Sequence, residues 1–152
     1  HRRRRFRSDL LKLTLDTNVL VAAFATQGVC AELLEHCQRE HEIVLSKYIL
    51  DELRAKLEEK IGLARKEAAD VVDLVRGRAS LVIPADVQVD ACRDPSDLPV
   101  LGTALAGGSR ALITGDKDLI VLGKYQGIQI LRPSGFWKFE AEESGESTDE
   151  AS

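Results

Sequence analysis

No apolar run in these 152 residues approaches the ~20 needed to cross a bilayer, and no stretch resembles a signal peptide. The chain is therefore expected in the cytoplasm, without membrane contact. Cysteine is scarce: Cys30, Cys37 and Cys92 give an odd count with no framework spacing, which excludes a disulfide scaffold and fits a reducing compartment. Histidine is equally scarce. His1 lies at the start, and His36 and His41 fall in one helical region, so neither a Ser-His-Asp nor a Cys-His arrangement is visible. Cys30 and Cys37 share a face of "VCAELLEHCQRE" near both histidines, as a zinc site would require. That face also carries Leu33 and Leu34, and free cysteine is commonly a small core residue, so the pair reads as core. A basic surplus is missing too. The net charge is -4, so the chain is no broad basic platform for nucleic acid.

The charge is nevertheless uneven. "HRRRRFR" opens the chain with five arginines, and "EAEESGESTDEAS" closes it with acids and no base. Residues 1–9 and 140–152 are expected to be disordered arms around a domain at 10–139. The basic arm has two readings, contact with nucleic-acid phosphates or a passive solvated tail.

Between the arms, 44% apolar and 30% charged residues are ordinary for one globular domain, which at this length buries roughly 70% of its unfolded surface. Short apolar runs at "KLTLD", "EIVLS", "SLVIP", "RALIT" and "IQILR" read as strands. Helical spacing fills the intervals, as at Ile49, Leu50, Leu53, Leu57 and Ile61, with Ser46 as N-cap and Gly62 as terminator. Pro99 is tolerable only in a first turn, which starts the next helix near Ser96 or Asp97. Strands alternating with helices predict a three-layer α/β/α domain around a parallel sheet of about five strands.

Within "LKLTLDTNVLVAAF", Asp16 is an acid in an otherwise buried run, with no Lys or Arg after Lys12. An unpaired buried carboxylate is costly, so it needs backbone donors or a cation from outside the chain. In α/β sheets, ligands bind beyond the carboxyl ends of the strands. That rim is where Asp16 and Asp116 follow their strands, Asp97 begins a helix, and Glu52 sits in the second turn of another. Each acid alone has a plain explanation: Asp16, Asp97 and Asp116 as helix caps, Glu52 as a solvated residue. Together they repel one another, and a divalent cation would relieve the repulsion. Ligands that are all oxygen favour Mg²⁺ or Mn²⁺, and such a site suits phosphodiester hydrolysis.

The pieces "LTLDTNVLVAA", "VLSKYILDEL", "RDPSDLPVLGTALAGGSRALITGDKDLI" and "IQILRPSGFW" resemble, in order, those of the PIN-domain nucleases. The form "TGDKDLI" is closest to VapC-like members. The resemblance implies a metal site of Asp16, Glu52, Asp97 and Asp116, with Asn18 orienting Asp16 and with Thr114 and Asp118 in support. It further implies Mg²⁺- or Mn²⁺-dependent RNA cleavage, often by the toxin of a toxin–antitoxin pair, and frequently by a homodimer. Asp94 competes with Asp97, and a helical wheel does not separate Asp51 from Glu52, so both choices rest on the family pattern. A haloacid-dehalogenase-like phosphatase would want an acid where Asn18 stands. A PIN-like module that binds RNA or a partner without cutting would not need all four acids.

Overall fold

The computed structural model describes residues 10–88 and 90–145. The basic arm at 1–9 and the end of the acidic tail, 146–152, lie outside them. The chain runs β1 (Lys12–Leu15), α1 (Thr17–Ala25), α2 (Val29–Glu40), β2 (Glu42–Leu45), α3 (Lys47–Lys56) and α4 (Arg65–Gly77). It continues through β3 (Ala79–Leu81), α5 (Leu98–Gly107), β4 (Ala111–Ile113), α6 (Lys117–Ile120), β5 (Lys124–Tyr125), β6 (Ile128–Leu131) and α7 (Phe136–Glu143). A π-turn, Leu57–Ile61, extends α3, and 3₁₀ turns precede α5 and α7.

Six strands form one sheet in the order β3-β2-β1-β4-β6-β5, parallel except for β5 against β6. The architecture is three-layer α/β/α, with one strand beyond the five expected. The extra strand is two residues long and arises from a tight turn, in which Gln126 and Gly127 both have positive φ and fold Lys124–Tyr125 back on Ile128 and Gln129.

The central strands read as continuous apolar runs because helices cover both of their faces. Leu13, Leu15, Ile43, Leu45, Leu112 and Ile113 are buried. Ser46 caps α3 as expected, accepting from the Ile49 N–H, and Gly62 ends the π-turn in the left-handed region. Cys37 and Cys92 belong to the core, and Cys30 packs against it.

The folded body extends past residue 139. Glu140 and Glu143, expected in the acidic tail, lie on α7, where Glu140 bonds His36 and His41 and Glu143 bonds Arg110. Composition alone pointed to a tail, since the partners of these acids lie far back along the chain.

Close packing makes one glycine a sensitive position. A Cβ on Gly107, near the end of α5, would fall 2.3 Å from Cγ1 of the buried Val44 on β2. Valine is stiff about χ1 and cannot swing aside. We expect Gly107→Ala to lose about 1–3 kcal/mol in a urea melt, the usual cost of overpacking; an unchanged midpoint would show that α5 can slide on the sheet.

Candidate active site

The sheet order itself selects a location. The chain runs outward from β1 to β2 and β3, then returns to the other side of β1 with β4, so the switch point lies between β1 and β4. Crevices form beyond the carboxyl ends of strands at such a point. Leu15 pairs with Ile113 there, and the Asp16 N–H donates to the Ile113 carbonyl at 2.9 Å. Asp16 and Thr114 therefore leave the sheet side by side.

Asp16 is 6% exposed, and local donors hold both of its oxygens: Oδ1 accepts from the Thr17 N–H at 2.7 Å and Oδ2 from the Thr114 hydroxyl at 2.6 Å. Asp16 thus caps α1, as the plain reading proposed, but burial still pushes its pKa up. The two hydrogen bonds oppose that rise, and the charges of Asp116 and Glu52 add to it. Thr114 also accepts from the Asp116 N–H at 3.0 Å, so one hydroxyl links the two acids. Asp116 caps α6 by accepting from the Asp118 N–H at 2.8 Å. The Asp118 side chain lies 4.0 Å from Arg93.

Asp97 is different. It is 5% exposed, makes no capping bond to α5, and its Oδ2 is buried without a hydrogen-bond partner among the described residues. Its pKa is pushed up to about 7, first by burial, then by the close approach and charge of Asp116, and then by the charges of Asp16 and Asp94. Capping falls instead to Asp94, which is exposed and accepts from the backbone and hydroxyl of Ser96. These bonds hold the Asp94 carboxyl below its usual value. The two candidates thus separate physically: Asp94 is satisfied, and Asp97 is not.

Glu52 reaches the same crevice from α3. Its Oε1 faces the Thr17 hydroxyl at 3.4 Å, and its Oε2 faces the Tyr48 hydroxyl at 3.1 Å. Asp51 points elsewhere, exposed and paired with Lys47 at 2.8 Å. A buried bond from the Thr103 hydroxyl to Ser46 Oγ, 2.8 Å, ties α5 to the start of α3 and fixes Glu52 relative to Asp97. Asp16, Glu52, Asp97 and Asp116 all line one polar cavity of about 180 Å³.

Asn18 makes no hydrogen bond to Asp16 among those described. It is exposed on α1 and lines the same cavity as Asp16, where its Oδ1 accepts from Lys56 Nζ at 3.3 Å. The bonds that hold the Asp16 carboxylate come from Thr17 and Thr114. Lys56 and Tyr48 were not singled out in the sequence. One turn after Glu52, Lys56 could have been found by spacing; Tyr48 lies one turn before it.

The donor set fits a hard divalent cation. Its atoms are carboxylate oxygens, and the buried Oδ2 of Asp97, without a partner among the described residues, is an acceptor that a cation would satisfy. Asp94, Asp97 and Asp118 additionally offer oxygens within 4.8 Å of one another at the rim.

A family model described as "PIN domain" matches residues 12–118. The chain belongs to the PIN-domain family. No curated protein matches it. Among solved structures, this PIN domain is similar to a chain of VapBC2 from Rickettsia felis bound to a fragment of promoter DNA. The TM-score is 0.58 at 16% identity, covering 79% of this chain and 97% of that one. It is also similar to a chain of VapBC-1 from nontypeable Haemophilus influenzae, with a TM-score of 0.59 at 15% identity and coverage of 82% and 99%. A third is a chain of DNA-bound VapBC from Salmonella typhimurium, with a TM-score of 0.52 at 20% identity and coverage of 82% and 99%. At these identities the likeness is one of fold.

The second cluster of metal-type ligands is His36, His41 and Glu140. His41 Nδ1 accepts from the Leu11 N–H at 3.1 Å, so Nε2 must carry the ring proton, which it donates to Glu140 Oε2 at 2.7 Å. That nitrogen has no lone pair for a metal. The zinc pattern fails at the cysteines as well, because burial and then the Glu140 charge push the Cys37 thiol up to about 12, where it stays protonated. No single helix among the described residues is long and apolar enough to cross a membrane.

Proposed function

We propose that this PIN domain is a Mg²⁺- or Mn²⁺-dependent endoribonuclease, in which Asp16, Glu52, Asp97 and Asp116 are the metal-binding acids and hence the catalytic set. The single observation that carries the reading is the unpartnered, buried Oδ2 of Asp97 in a cavity lined by three other acids. A bound cation would compensate the charge that Asp97 takes on when it ionises beside the other acids. When bound, a hard divalent cation neutralises charge on phosphoryl oxygens and makes water more acidic.

The chain supplies positioning. Thr17 and Thr114 lock the Asp16 carboxylate, Tyr48 holds Glu52, and the Asp118 N–H fixes Asp116, so little reorganisation is needed when substrate arrives. Lys56, steadied by Asn18, is the cation among the lining residues and offsets part of the repulsion that a polyanion meets at an acidic crevice. The VapBC neighbours support an antitoxin protein as partner and with it a role as the toxin of a toxin–antitoxin pair; the homodimer is proposed from the family resemblance alone.

Cleavage of mixed single-stranded RNAs with Mn²⁺, and none in EDTA, is the expected result. RNA that is bound but left intact with Mn²⁺ present would favour the silent binding module instead. Asp51→Asn serves as the control and should leave cleavage within about twofold, since an exposed ion pair with Lys47 contributes little. If its loss abolished cleavage, Glu52 would be the wrong choice on α3.

A further inference from the structure

Beside the acidic crevice lies a second, larger slot of about 430 Å³, lined by Tyr48, Pro84, Val87, Leu98 and Pro99 together with Ala85 and Asp86. The volume is within the ~300–1,000 Å³ typical of small-molecule clefts. The two cavities meet at shared elements. Tyr48 lines the slot, while its hydroxyl faces Glu52 at 3.1 Å and the Ser96 carbonyl at 3.1 Å. Leu98 and Pro99 follow Asp97 directly in the chain.

One wall of the slot depends on a glycine. The Ala85 N–H donates to the Gly102 carbonyl at 2.9 Å, and a Cβ on Gly102 would meet the Ala85 carbonyl oxygen at 2.3 Å. Only glycine lets the segment at 84–87 lie this close to α5. The slot's surroundings also select among the parts of a nucleotide. Its described lining has an aromatic residue, two prolines and three aliphatic side chains, with one acid and no cation. A phosphate would be repelled there, whereas an uncharged, flat base finds apolar walls and an aromatic neighbour.

We propose that this slot binds one unstacked nucleobase of the substrate strand, beside the bond cut in the acidic crevice. The inference rests on the nucleic-acid substrate of the preceding reading. Single-stranded nucleic acids are commonly held by stacking bases on aromatic side chains, and a base adjacent to the scissile phosphate has to lodge close to the acids. Tyr48 would then have two functions, a ring beside the base and a hydroxyl that positions Glu52.

The test uses isotope-labelled full chain without added metal, titrated with cytidine monophosphate and, separately, with ribose 5-phosphate, which lacks the base. Cytidine monophosphate should shift the amide resonances of Val87 and Leu98, and ribose 5-phosphate should not. Tyr48→Leu and Val87→Asp should each weaken this binding by about fivefold or more, the lower end of base–aromatic stacking, while Tyr48→Phe, which keeps the ring, should retain it. Val87→Asp stays informative if Tyr48→Leu disturbs the fold. A second arm measures cleavage of oligoribonucleotides carrying an abasic residue next to the cut bond. Their kcat/KM should fall about tenfold in the wild type and change little further in Val87→Asp. Equal shifts from both ligands, no shift at Val87 and Leu98, or unchanged binding in both slot variants would overturn the proposal. Base-dependent shifts in a protein that cuts no RNA would support the slot and refute the nuclease reading.

Discussion

Asp97→Asn is expected to lose RNA cleavage by more than about a hundredfold, beyond the ~10–100-fold that groups merely supporting a metal ligand cost, while the metal-free protein melts at or above the wild type. Both halves follow from one carboxylate. Asparagine keeps the volume, removes a ligand charge, and offers an amide N–H to Asp116 where the wild type presents two opposed acids. Asp16→Asn should also stop cleavage, but without the gain in stability, because both Asp16 oxygens are already satisfied by Thr17 and Thr114.

The pH dependence has a definite sign. Asp97 titrates near 7 in the fold and at 3.8 when exposed, so between those values the folded state holds a proton that the unfolded chain has released. Its contribution to stability is complete below about 4 and is lost as pH rises through 7. Asp16, raised in the same direction, adds to the trend. In Asp97→Asn the slope of stability against pH across this window should flatten. Mg²⁺ or Mn²⁺ at a hundred times its dissociation constant should return roughly 2.7 kcal/mol to the wild type, or about 5–11 °C in Tm, and distinctly less to the variant. If Asp97→Asn instead destabilised the metal-free chain by more than about 1 kcal/mol, as loss of a helix cap does, Asp97 would have to be withdrawn from the metal site.

The opening run of the chain was legible because its physics is local. A strand buried on both faces reads as continuous apolar sequence, and an acid at its end is anomalous wherever the rest of the chain goes. The parallel sheet followed from spacing, and with it the rim that gathers Asp16, Glu52, Asp97 and Asp116. What stayed hidden depends on contacts across the fold. Asn18 could not be assigned to Lys56 without knowing how α1 and α3 pack. Asp51 and Glu52 flank one apolar stripe, and only the neighbouring Thr17 and Tyr48 distinguish them. The strand at Lys124–Tyr125 is too short for a period, and "QG" is a weaker hairpin signal than Asn-Gly.

Glu140→Ala should destabilise the protein by roughly 3 kcal/mol at neutral pH, with α7 the first element to detach. A single carboxylate oxygen, Oε2, accepts from His36 Nε2 at 2.6 Å and His41 Nε2 at 2.7 Å. The His41 ring is fully buried and is fixed from its other side by the Leu11 N–H. The cluster therefore ties together the entry to β1, the end of α2 and the closing helix. Burial by itself would raise the Glu140 pKa, but the hydrogen bonds donated by His41 and His36 outweigh it and bring the value down from 4.5 to about 2. The stated loss follows from the ~1–3 kcal/mol cost of leaving each of these histidine donors unmet. The contribution is present above pH 4.5 and disappears as pH falls toward 2, so wild type and variant should converge in acid urea melts. Amide exchange supplies a local readout: Phe139 and its neighbours on α7 should lose protection in Glu140→Ala while β1 and β4 keep theirs. Should the variant melt within a degree of the wild type at pH 7, the three side chains would amount to a surface pair, and the hold on α7 would have to come from Phe136 and Phe139 alone.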